Sequence, residues 1–247
     1  MTPESPGRTR REVALGLAAI WPFGRRALEI ADTRLRVVAR GRSSWRFLHI
    51  HGDESTARTV LEQAAPAGLS FFVESERREV PISGGSIDPN RLFSHAGADR
   101  SLRRRNRQWS EAQLINAGLH LDQQRPKLLD ALLPRDGGVL IALHNNGVGY
   151  SIETEIPLSQ KVSFKDPARP GDFMLATSAR DFALMETSPF NCVLQSSAPP
   201  PDDGSLSRQC ALQGKRYVNI EARSGGYEIQ RAMLDWLIAR LPPQQEF

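Results

Sequence analysis

Apolar and polar residues follow each other along this chain in two rhythms. Trp45-Arg46-Phe47-Leu48-His49-Ile50 is short, aromatic and branched, and predicts a strand, with an earlier one near Leu35–Ala39. Ser55 to Ala65 carries helical spacing and is closed by Pro66 and Gly68, and Leu69 to Val73 predicts the next strand. Strand, helix, strand is how a parallel α/β sheet opens. Val139-Leu140-Ile141-Ala142-Leu143 is an unbroken apolar run behind Gly137-Gly138, the pattern of a strand buried on both faces. Between them, Ser110 to Leu133 predicts a helical hairpin or pair, ended by Pro134. Downstream the pattern predicts a strand at Phe173–Ala176, a helix at Ala179–Glu186, and strands at Asn191–Leu194 and Arg216–Ile220. A terminal amphipathic helix follows over Tyr227–Leu241; its Ile229, Met233, Trp236, Leu237 and Leu241 recur at helical spacing and read as core packing. Residues 75–109 predict a long polar surface excursion, 157–172 an irregular stretch and 199–204 a loop. No internal repeat is visible. A length of 247 residues suits one domain, so the expected fold class is α/β, with a mostly parallel mixed central sheet flanked by helices.

Composition narrows the function classes. With 40% hydrophobic and 24% charged residues, the chain is neither disordered nor fibrous. No apolar run approaches the roughly 20 residues of a membrane span. A formal charge of +4 is too small to argue for nucleic acid and fits an anionic substrate equally well. The dense basic run Arg100-Ser101-Leu102-Arg103-Arg104-Arg105-Asn106-Arg107-Gln108-Trp109 is either a surface for an anionic polymer or, more commonly, a solvated face. Cys192 and Cys210 lack zinc-finger spacing and are one bridge or two buried thiols. At the N-terminus, Arg10-Arg11 before the weakly apolar Val13–Ile20 resembles a twin-arginine export signal, although the stretch is short, ends at Trp21-Pro22 and lacks a small-x-small cleavage site. We therefore divide the chain into a segment 1–30 and a catalytic domain 31–247; export would place the protein in the periplasm, and its absence in the cytoplasm.

Three polar clusters stand directly after predicted strands: His51-Gly52-Asp53-Glu54, His144-Asn145-Asn146, and Glu221. Ligands of open α/β sheets bind beyond the carboxyl ends of strands. A catalytic zinc takes three protein ligands from His and Glu or Asp and keeps one position open. His51 and Glu54, three apart where a strand turns into a helix, can face one point, and His144 arrives from another strand. Glu221 is then placed to act as general base and acid. His49 is the rival of His51, being also close to Glu54, but it lies inside the strand, whereas His51 follows its end. Asn145 and Asn146 either donate to substrate or close the turn. Gly84-Gly85-Ser86 is no nucleophile elbow, and Gly147-Val148-Gly149 lacks the context of a dinucleotide site.

Four segments in this order resemble the zinc carboxypeptidases and the related succinylglutamate desuccinylase and aspartoacylase group: His51-Gly52-Asp53-Glu54, Asp88-Pro89-Asn90-Arg91-Leu92-Phe93, Leu143-His144-Asn145 and Val218-Asn219-Ile220-Glu221-Ala222. The resemblance spans about residues 45 to 240. It implies a zinc carboxypeptidase-like fold with one Zn2+ per chain, held by His51, Glu54 and His144, and Glu221 as the catalytic carboxylate. It implies that Asn90 and Arg91 hold a substrate carboxylate, and that an upstream arginine, Arg78 or its neighbour Arg77, stabilises the oxyanion; Asn145 joins them as a substrate-binding candidate from its place after the strand. The sequence differs from the family in Pro89, in the Asn145-Asn146 pair, and in the short stretch after Glu221. Tyr227 is the one candidate for the mobile tyrosine of digestive carboxypeptidases. The implied activity is hydrolysis of an amide bond near a free carboxylate, on a small peptide such as a cell-wall peptide. The alternatives are an N-acyl amino acid deacylase, or a non-catalytic binding protein that uses the Arg-rich loop.

Overall fold

The apolar run Val139–Leu143 begins strand β7, Val139–Asn146, in which all eight residues are buried. Its neighbours are β3 (Trp45–His49) on one side and β11 (Tyr217–Arg223) on the other, both parallel to it. These three and β4 (Gly68–Val73) form a parallel centre. The structure, a computed structural model, describes residues 28–135, 137–197 and 201–241. The segment Arg8–Ile20, read above as an export signal, and part of the 199–204 loop lie outside these residues.

Further strands extend the centre on both sides through antiparallel junctions. β1 (Leu28–Ile30) and β2 (Thr33–Arg40) join at β4, and β9 (Phe173–Ala176), β10 (Asn191–Leu194) and β8 (Lys161–Ser163) join at β11, with β9 and β10 parallel to each other. The result is one nine-stranded mixed sheet in the order β1-β2-β4-β3-β7-β11-β9-β10-β8. Helices cover both faces, so the chain is a single-domain α/β protein. α1 (Ser55–Ala64), α5 (Ala179–Met185) and α7 (Tyr227–Arg240) pack on one face over Val139, Ile141 and Leu143. α2 (His95–Arg105), α3 (Glu111–Leu132) and α6 (Leu206–Leu212) pack on the other over Leu140, Ala142 and Tyr217. A four-residue α4 (Ile152–Glu155) lies near the β10 end. No helix among the described residues is long and apolar enough to cross a membrane.

The structure corrects or settles the sequence expectations in several places. Residues 75–109 are not an open excursion. They hold a small hairpin, β5 (Val80–Ile82) with β6 (Gly85–Ile87), a 3-10 turn at Pro89–Arg91, and α2. Strands of three residues are too short to show a period, and α2 buries only Gly97, Ala98, Ser101 and Leu102. Ser110–Leu133 is one helix, not a pair. A capping box between Ser110 and Gln113 starts it, and the stripe Leu114, Ala117, Leu121, Leu128, Ala131, Leu132 carries it through Pro126. The stretch 157–172 contains β8, and α6 was not foreseen. Cys192 and Cys210 are buried free thiols, not a bridge.

Candidate metal centre

Alternation along the two central strands decides what faces the site. On β11, Tyr217, Asn219 and Glu221 share one face, while Val218, Ile220 and Ala222 enter the opposite core. On β7 the register pairs Glu221 with His144 and Asn219 with Ala142, so His144 and Asn146 share that face. His51 follows β3 and turns to the same point. His49 faces the other way, packed against Phe72, with Nε2 at 3.1 Å from the Glu54 carbonyl, and burial lowers its pKa to about 4.

His51, Glu54 and His144 form a buried group able to hold a metal ion. His51 Nδ1 lies 2.8 Å from Glu54 Oε1 and 3.2 Å from His144 Nδ1, and His144 Nδ1 lies 3.1 Å from Glu54 Oε2. Asp88 meets the far nitrogen of His51 at 3.0 Å. Burial disfavours a charged His51, but the hydrogen bonds from Asp88 and Glu54 outweigh it and raise its pKa to about 9. Burial pushes the Glu54 and Asp88 carboxyls up, yet the histidines they face hold both well below the usual carboxylate range.

The Gly52 of the His51–Glu54 turn is required by close approach. Its N–H donates to the Arg77 carbonyl at 3.1 Å, and a Cβ there would lie 2.1 Å from the Ser75 carbonyl oxygen. The bent segment between β4 and the next strand crosses that turn and delivers Arg78, which donates to Glu54 Oε1 at 2.9 Å. Arg77 lies in a separate depression with Glu74 and Asp32. Glu54 is the N-cap residue of α1 but makes no side-chain cap, because its carboxylate points at the histidines. Asn145 supplies the missing cap from β7: its Oδ1 accepts from Ala57 N–H at 2.8 Å, while its amide donates to Gln230 Oε1 and to the His144 carbonyl. Of the two roles raised for Asn145 from the sequence, its hydrogen bonds are those of the structural one, since it alternates away from His144.

Glu221 receives Asn219 Nδ2 at 2.9 Å and Asn146 Nδ2 at 3.3 Å. Burial lifts its pKa; His144 and the two amides oppose the rise, and the nearby Glu54 adds to it. The carbonyl oxygens of both amides, Asn146 Oδ1 and Asn219 Oδ1, are buried without a hydrogen-bond partner. Asn90 and Arg91 line the same chamber. Asn90 Oδ1 accepts from Leu206 N–H at 3.1 Å, and Arg91 donates to Asp203 at 2.9 Å. Gly204 allows this junction, with φ +76° and Arg91 O only 2.2 Å from where a Cβ would stand.

Other candidates sit apart. Tyr227 donates to Gln63 at 2.7 Å, outside the chamber, whereas Tyr150 lines it. His95 pairs with Asp122 on the surface. Within the Arg-rich run, Arg103 is paired with Asp99 and Glu111, and Arg105 with Glu79. The sequence reading missed Asp88 as a partner of His51, Asn219 beside Glu221, and Tyr150. Asn219 was accessible in principle, two residues before Glu221 on a strand; Asp88 reaches His51 only through tertiary folding.

The chain matches no protein-family model, and no curated protein matches it at a significant level. Among solved structures it is similar to the crystal structure of a proposed metallopeptidase from Shewanella denitrificans OS217, at 15% identity and a TM-score of 0.43, over 89% of this chain and 84% of that one.

Proposed function

We propose that this chain is a zinc-dependent hydrolase cleaving an amide bond next to a free carboxylate, in the manner of a carboxypeptidase acting on a small peptide. The observation that carries the reading is the convergence of His51, Glu54 and His144 on one buried point, with Glu221 facing His144 across the β7–β11 ladder. Two imidazole nitrogens and a carboxylate are the donor set that suits zinc at a catalytic site. The Asp88 carboxylate behind His51 supports it, since ligating histidines are held by such partners. When bound, the ion supplies Lewis acidity, polarising a carbonyl and acidifying water.

The protein's own groups do the rest. Glu221 takes a proton from the attacking water and passes it to the leaving nitrogen, a task suited to a carboxyl whose pKa is raised by burial. Arg78, half-exposed at the rim, offers its remaining guanidinium donors to the developing oxyanion. Arg91 presents a planar fork to the substrate carboxylate, with Asn90 beside it. Asn145 is left to cap α1. Should the Arg8–Ile20 segment direct export, cell-wall stem peptides are the natural substrates. An N-acyl amino acid deacylase would use the same residues, and the relative rates on an acyl-amino acid and a dipeptide separate the two.

Glu221→Gln tests the scheme. Zinc content stays as in the wild type, and hydrolysis of dipeptides and N-acyl amino acids falls by about 10²–10⁴-fold, the typical contribution of general acid–base catalysis. Full activity in that variant would remove Glu221 from the mechanism.

A further inference from the structure

The chamber extends past the metal ligands. Its volume is about 490 Å3, and its wall includes three successive inward residues of β11, Glu221, Asn219 and Tyr217. α6 and the segment 155–158 complete the enclosure, contributing Ala211, Glu155 and Leu158. Two acceptors there stand out. Glu155 accepts from Tyr150 Oη at 2.8 Å and from Gln195 Nε2 at 2.5 Å, one donor on each oxygen, which leaves further lone pairs. Asn219 Oδ1 is buried with no partner, in a residue only 7% exposed. The amide orientation is set by Glu221, whose oxygen needs the Nδ2 donor. A buried carbonyl without a donor is costly and rare, and a donor brought by a ligand accounts for it.

Beyond the substrate carboxylate assigned to Arg91, the arginines of the chamber do not call for an anionic side chain. Arg91 is matched by Asp203 at 2.9 Å and Arg208 by Asp202 at 3.3 Å. Leu175 and Leu158 add apolar wall. An alkyl chain ending in a nitrogen donor fits this combination. Its methylenes meet the leucines, its N–H groups reach the amide oxygen, and its positive charge meets the Glu155 carboxylate, without which a buried cation would be prohibitive. We propose that the chamber selects a leaving amino acid with an amine- or guanidine-bearing side chain, with Glu155 and Asn219 as the specificity-determining residues. This rests on the hydrolase reading above for the word "leaving", but the binding preference stands apart from turnover.

The test is calorimetric titration of zinc-loaded wild-type protein with L-lysine, L-arginine, L-norleucine and L-glutamate. Lysine or arginine is expected to bind at least about tenfold more tightly than norleucine, which lacks only the charged donor. Glu155→Gln shrinks that ratio, and Glu155→Lys moves the preference toward glutamate. Asn219→Thr shrinks the ratio independently, so a folding defect in one variant decides nothing. Norleucine binding as tightly as lysine in the wild type, or an unchanged lysine preference in folded Glu155→Gln, overturns the proposal. A lysine preference without hydrolysis of any dipeptide or N-acyl amino acid upholds it and sinks the hydrolase reading. Hydrolysis without a basic preference does the reverse.

Discussion

The two ends of β7 are built from opposite kinds of residue. From Val139 to Leu143 every side chain is apolar and fully buried, and the residues divide between the two cores by alternation. From His144 to Asn146 every side chain is polar and still at least nine-tenths buried. Both ends pair with β11 in the same parallel register. The apolar end gains from burial, whereas the polar end must find partners for each group it takes out of water. Asn145 has them all. Asn146 and, on the adjacent strand, Asn219 each keep a buried oxygen without one, on the face that also carries the candidate metal ligand His144. One ladder thus serves stability at its start and carries the candidate site at its finish, and the buried first part fixes the position of the second.

The largest effect should come from the polar end. In His51→Ala and His144→Ala, metal content measured by mass spectrometry should fall from about one zinc per chain to background, and kcat/KM should drop on the order of 10³-fold or more. Chelation of the wild type should reproduce the loss and added zinc reverse it. Full metal in both variants would move the ion elsewhere. The apolar end should respond in the opposite sense. Ile141→Ala, at a fully buried position, should lower stability by about 2–5 kcal/mol in denaturant titrations while the folded fraction keeps its zinc. Zinc loss without loss of stability in that variant would erase the distinction between the two ends.

The same contrast explains what the sequence made legible. Long elements with a clear period were readable: the strand at Val139, the helix after Ser55, the terminal helix from Tyr227. The clusters at strand ends were readable too, because a strand end beside a His or Glu is a local signal. The small hairpin at Val80–Ile87 was hidden, as three-residue strands carry no period. The sequence pattern over Ser110–Leu133 offered a helical hairpin or pair; α3 runs on as one helix of 22 residues through Pro126, a residue that usually stops a helix, because packing of its buried stripe overrides that. Asp88 could not be paired with His51 from sequence, since 37 positions and a tertiary crossing separate them. Asn145 was named as a substrate or turn residue, and its capping of α1 was not read. Alternation after His144 already turned it to the opposite face.

Smaller still, and most useful for the border between the two ends, is the effect of Asn145→Ala. The residue belongs to the polar end by composition and to the structural end by its contacts. An N-cap residue ordinarily satisfies an amide in the first helical turn with its own side chain. Glu54 cannot, because its carboxylate meets His51, His144 and Arg78. Asn145 takes over by accepting from Ala57 N–H, and so leaves Glu54 free for the proposed ion. Removing it should cost about 1–2 kcal/mol of stability, the usual value of a helix cap. It should also weaken zinc binding modestly, because an uncapped α1 competes for the Glu54 carboxylate. KM at saturating zinc should stay within about twofold of wild type, since the side chain makes its hydrogen bonds to α1, α7 and its own strand. Thermal melts, zinc titration and steady-state kinetics read the three quantities separately. A large rise in KM with unchanged stability would return Asn145 to the substrate and move the border one residue toward Leu143.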